Sequence, residues 1–147
     1  MKSKKRLVLF VGVFVMLACL LSGCSILNNA AKLQEYDFDS DKVPTVNSVV
    51  GERKVTNVET SISNGVQEKR YTYQSDSVTD DLAQYTQSLR NNGWVVTQSY
   101  DLSSTPGTAE LGKLSADSDK ILLLSISYTG SDYTIKITKG EGTLNLY

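Results

Sequence analysis

The sequence predicts an α+β domain in the order β-β-α-β-β-β, with one helix packed on one face of a mainly antiparallel sheet. Three observations predict it. Val78, Leu82, Tyr85 and Leu89 recur at intervals of four, three and four and form one apolar helical stripe. Asn64-Gly65 separates two strand-like runs and marks a two-residue hairpin, because a type I′ turn needs positive φ at both positions. Leu124–Tyr128 and Tyr133–Ile137, within the runs Lys120–Tyr128 and Tyr133–Lys139, alternate apolar and polar residues, so pairing them about Gly130-Ser131 puts six apolar side chains on one face.

The elements follow in order. Strands near 54–63 and 66–74 flank Asn64-Gly65. Their register sets Val58 opposite Tyr71 and Thr56 opposite Tyr73, with Glu59 against Arg70 on the other face. The helix spans 77–92, with Ser77 as N-cap and Asp80 and Asp81 in the positive first turn. Gly93 ends it in the left-handed conformation, and Trp94 folds back on the last turn. Trp94 to Tyr100 and Thr108 to Ser115 read as strands, the second weakened by Gly112. The last hairpin has a type II′ turn at Gly130-Ser131, with Leu124, Ile126 and Tyr128 facing Ile137, Ile135 and Tyr133. Ser125, Ser127, Thr134 and Lys136 take the opposite face. Residues 141–147 add a short edge strand.

Upstream of residue 54 the pattern changes. Residues 24–53 read as a flexible tether, polar and acidic around Asp37-Phe-Asp39-Ser-Asp41, with Pro44 breaking any period. Such a tether would hold the domain on the order of 30 Å from an anchor. A chain starting near Glu52 is then expected to fold alone as a soluble monomer, the domain occupying 54–147. The chain opens on a basic cluster, Met1 to Arg6, followed by an uncharged apolar run from Leu7 to Leu21. That run is shorter than the about 20 residues a membrane-spanning helix needs, and small residues follow it, as in a secretory signal.

Leu21-Ser22-Gly23-Cys24 resembles the lipobox of bacterial lipoproteins. The resemblance implies that residues 1–23 are a cleaved signal peptide, with Leu21, Ser22 and Gly23 recognised by the signal peptidase. It implies diacylglycerol on the Cys24 thiol and a place on the extracytoplasmic face of the cell membrane, or on the outer membrane of a two-membrane cell. Two acyl chains hold a protein stably where one does not. Cys19 would leave with the signal, so the mature chain carries no disulfide. The passage Tyr85 to Trp94 resembles small uncharacterised envelope lipoprotein modules, and helix-grip lipoprotein domains are an architectural analogy.

Composition narrows the function classes. The chain carries 15 basic and 16 acidic residues, and cleavage would remove Lys2, Lys4, Lys5 and Arg6, leaving a net charge of about −5. That argues against nucleic acid as a partner, which needs a basic face. Histidine is absent, which removes the commonest general base and metal ligand. No G-x-S-x-G, P-loop or dinucleotide fingerprint occurs. Asp80/Asp81 and Asp117/Asp119 are carboxylate pairs whose plainest roles are capping and solvation. Asp37, Asp39 and Asp41 open like a calcium loop, but Lys42 and Ser48 stand where glycine and glutamate are needed. No catalytic residue, metal site or cofactor is expected. Tyr71, Tyr73, Tyr85, Tyr128 and Tyr133 are expected in the core, with Tyr100 and Tyr147 exposed.

The expected function is that of a membrane-tethered, non-catalytic interaction or accessory domain. It would meet the membrane through lipid on Cys24 and an envelope protein through its surface. The alternatives are a small-molecule or glycan binding lipoprotein and a carboxylate-dependent cell-wall hydrolase.

Overall fold

The computed structural model describes residues 23–145. Most of the signal segment, including Leu21 and Ser22 of the lipobox, lies outside the described residues, as does Tyr147. The fold is α+β, and the described residues form a six-stranded antiparallel sheet, a separate two-stranded sheet and three helical segments. Helix α1 covers residues 23–32. Strands β1 (Glu35–Phe38) and β2 (Asp41–Pro44) form the small sheet, and helix α2 (Val46–Val50) follows. Then come β3 (Lys54–Ser63), β4 (Val66–Gln74), helix α3 (Val78–Asn91), β5 (Val95–Gln98), β6 (Gly107–Leu114), β7 (Lys120–Tyr128) and β8 (Asp132–Glu141). The large sheet runs β3-β4-β8-β7-β6-β5. Four strands follow α3, one at each of the runs read as strands from 94 to 139, so the order β-β-α-β-β-β is one strand short after the helix.

Local chemistry accounts for the main elements. Asn64 and Gly65 both take positive φ, as a type I′ turn requires. Helix α3 buries its stripe of Val78, Leu82, Tyr85 and Leu89 in one core with Leu124, Ile126, Ile135 and Ile137. It ends in a Schellman motif: the Trp94 N–H donates to Leu89 O and the Gly93 N–H to Arg90 O, with Gly93 at φ 85° and Trp94 buried. At the other end Ser77 is the N-cap residue, but its side chain makes no capping bond. The β7–β8 register is the expected one, with Leu124, Ile126 and Tyr128 opposite Ile137, Ile135 and Tyr133.

Two local expectations are corrected. Val55, not Thr56, lies opposite Tyr73, because a bulge between Val55 and Asn57 inserts one residue. The extra residue turns Thr56 to solvent and puts Val55 into the core. The β7–β8 turn is not type II′, since Gly130 does not take positive φ. The Thr129 hydroxyl instead accepts from the backbone N–H groups of Ser131 and Asp132, each at 3.2 Å.

The largest correction concerns residues 24–53, which are folded and not a flexible tether. Tyr36, Phe38, Val43 and Val46 are buried in the same core as the large sheet. The Tyr36 ring lies 4.6 Å from that of Tyr71, and its hydroxyl bonds that of Tyr73. The Tyr85 hydroxyl donates to Pro44 O at 2.9 Å, tying α3 to β2. Ala30 is buried, and Leu27 and Ala31 pack beside it, so α1 docks through an i, i+3, i+4 stripe. The inner face of the sheet is therefore covered by α3 together with the β1–β2–α2 unit, not by one helix alone.

Candidate functional site

The six-stranded sheet presents its other face as an open concavity of about 540 Å³ lined mainly by polar residues of β3 to β8. Alternation puts them there: Tyr71, Tyr73, Ile135 and Ile137 point into the core, so Arg70, Thr72, Thr134 and Lys136 point outward. Pairing then arranges them in two transverse rows. Glu59, Arg70, Lys136, Ser125 and Glu110 are successive cross-strand neighbours from β3 to β6. Beside them run Asn57, Thr72, Thr134, Ser127 and Thr108, an amide and four hydroxyls.

The rows differ in how far their groups are already satisfied. Thr72 and Thr134 share a hydroxyl–hydroxyl bond of 2.9 Å. Glu110 accepts from Thr97 at 2.8 Å and Ser125 at 3.4 Å. Arg70 reaches Glu59 at 3.3 Å and Glu68 at 3.0 Å. Lys136, its direct neighbour on β8, has no carboxylate of the described residues within ion-pair distance.

The acidic residues expected as candidates are mostly engaged elsewhere. Asp81 is 1 % exposed and receives a bidentate Arg53, Nε and Nη2 each at 2.7 Å, together with Ser75 at 2.6 Å and Tyr133 at 3.1 Å. Burial raises its pKa, but these donors outweigh burial and hold the carboxyl below its usual value. Asp80, its sequence neighbour, is exposed. Lys139, 3 % exposed, lies against Asp41 and Asp117 at 2.7 Å each, Ser40 at 2.8 Å and the Phe38 carbonyl at 2.9 Å. Burial of Asp41 is likewise overcome, by Lys139, Ser115 and the Ala116 N–H, and its pKa falls to about 2. Asp37 pairs with Lys42 at 2.5 Å, and Asp39 accepts from Gln67 at 2.8 Å. The three aspartates of the calcium-like stretch thus meet three different partners. No group of metal-ligating side chains is found among the described residues.

The five tyrosines expected in the core are all buried there, and among the described residues no aromatic side chain lines the concavity. Tyr100, expected exposed, is half-buried against the core. Gly23 and Cys24 are exposed on α1. The outer-face side chains were readable as the polar side of each strand. Their union into rows was not, because it depends on β4 pairing with β8. Comparison with protein families, curated proteins and solved structures finds no match for this chain.

Proposed function

We propose that this chain is a membrane-tethered lipoprotein of the cell envelope that acts by binding through the outer face of its sheet, without catalysis. The observation that carries the binding role is the concavity, left uncovered by the described residues, a mainly polar surface spanning several strands while the apolar face is closed off. The anchor is supported by the order basic cluster, apolar run and Leu21-Ser22-Gly23-Cys24, with Cys24 exposed. Its membrane contact is lipid on Cys24, and the mature charge of about −5 disfavours nucleic acid.

The hydrolase alternative draws less support. Glycosidic hydrolysis needs two carboxyls about 5–9.5 Å apart. Glu59 and Glu110 stand four strand spacings apart, about 19 Å across the sheet, and the nearer pair, Glu59 and Glu68, is tied to Arg70. Asp81 and Asp41 are each held by a cation. Intact-mass measurement of membrane-bound protein tests the anchor. The wild-type and Cys19→Ala chains should begin at Cys24 and carry diacylglycerol. Cys24→Ala should remain uncleaved and without lipid. A wild-type chain lacking the lipid mass, or a Cys24→Ala chain carrying it, would overturn the anchor.

A further inference from the structure

We infer that the outer concavity is a site for a small hydroxylated carboxylate, an acidic sugar, with Lys136 and Arg70 receiving the carboxylate. The inference rests on the reading of this face as the binding surface and names its ligand class.

Arg70 and Lys136 face each other directly across β4 and β8. Like charges so placed repel and destabilise a sheet. Arg70 is compensated by Glu59 and Glu68, whereas Lys136 has no carboxylate of the described residues within ion-pair distance. Three residues along the same strand, Lys139 turns inward and has two carboxylates. The lysine of β8 that lacks a carboxylate partner is thus the one directed into the concavity. An incoming carboxylate relieves the repulsion and gains charge-assisted hydrogen bonds.

The surroundings define the rest of the ligand. Thr134 and Ser127 present hydroxyls in the next row, and a hydroxyl both donates and accepts. Glu110 and Asn57 end the rows with planar groups suited to sugar hydroxyls. A volume of about 540 Å³ lies within the usual range for small-ligand sites. With no aromatic platform among the described residues, a neutral sugar has little to hold it, and the carboxylate must supply the anchor.

Amide chemical-shift titration of the full chain in detergent tests this, with glucuronate, glucose and inorganic phosphate as probes. Glucuronate should give saturable shifts on residues 70–72, 125–127 and 134–136, with a roughly millimolar Kd. Lys136→Met should weaken it at least about tenfold without changing the fold, since the side chain is half-exposed. Lys42→Met, whose lysine pairs with Asp37, should leave the Kd unchanged. Glucose binding as tightly as glucuronate would overturn the carboxylate handle, and phosphate binding as tightly would overturn the sugar. The absence of saturable shifts with all three would overturn the ligand class. The lipid mass on Cys24 reads the anchor independently of each result.

Discussion

Replacing Lys139 with methionine isolates the contact that fastens the N-terminal hairpin to the sheet. The ammonium has four partners within 2.9 Å, drawn from β1, the β1–β2 turn, β2 and the β6–β7 turn. Asp117 is 40 % exposed and can be rehydrated, but Asp41 is 8 % exposed. In Lys139→Met, Asp41 keeps Ser115 at 2.6 Å and the Ala116 N–H at 2.9 Å, yet loses its counter-charge. Breaking a buried pair from one side costs about 3–5 kcal/mol, a large part of the roughly 5–15 kcal/mol that stabilises a domain. The pH dependence should weaken as well. In the wild-type chain Asp41 has a depressed pKa of about 2. Its contribution, about 2 kcal/mol, is complete above the unfolded pKa near 4 and is lost as pH falls toward 2. Without Lys139 only Ser115 and the Ala116 N–H oppose burial, so the depression of that pKa shrinks and the variant's deficit should shrink as the carboxyl protonates on acidification. Urea denaturation between pH 3 and 7 measures both effects. A loss below about 1 kcal/mol, with a pH profile parallel to the wild type, would refute the buried pairing. Asp41→Asn added to Lys139→Met should recover part of the loss, because the buried charge is then gone.

Leu82→Ala and Leu89→Ala should each cost about 2–5 kcal/mol, since both side chains are fully buried. Arg90→Ala, on the exposed side of α3, should change stability by about 0.5 kcal/mol or less; chemical denaturation of the three compares them directly. A chain starting at Glu52 should give no cooperative thermal transition. It lacks Ala30, Tyr36, Phe38, Val43 and Val46, buried side chains worth about 1.5–3 kcal/mol each for the larger ones. A sharp melt near that of the full chain would restore the tether reading. Gly107→Ala should cost about 1–3 kcal/mol, because its Cβ would fall 2.3 Å from the Tyr128 ring. Near-ultraviolet circular dichroism should report the displaced tyrosine.

What was legible in the sequence was local. The α3 stripe, the Asn64-Gly65 turn and the β7–β8 register each depend on residues within one or two adjacent elements, so period and turn chemistry sufficed. The β1–β2 hairpin shows the limit. Tyr36 and Phe38 alternate over only four residues, and the aspartates between them looked like linker composition. Asp41 is buried because Lys139 reaches it from almost 100 positions away, and no local pattern announces such a partner. The bulge at Thr56 is one inserted residue that reverses the expected faces of its end of the strand. The concavity was visible only as unconnected polar alternation. Its rows exist because β8 inserts between β4 and β7, placing Lys136 beside Arg70 and Thr134 beside Thr72.

The docking of α1 changes what the proposed anchor implies. Cys24 and buried Ala30 belong to the same helix, six residues apart, a rise of on the order of 10 Å. Lipid on Cys24 would therefore hold the domain at the level of the headgroups, with little freedom to tumble or to sweep the space above. A ligand or partner would have to come to the bilayer surface to be met. Encounters with other membrane-bound molecules would become lateral, and confinement to a thin layer would raise the effective concentration of even a weak site. A loosely tethered binder samples a volume, whereas a domain fixed this close to its anchor patrols a surface.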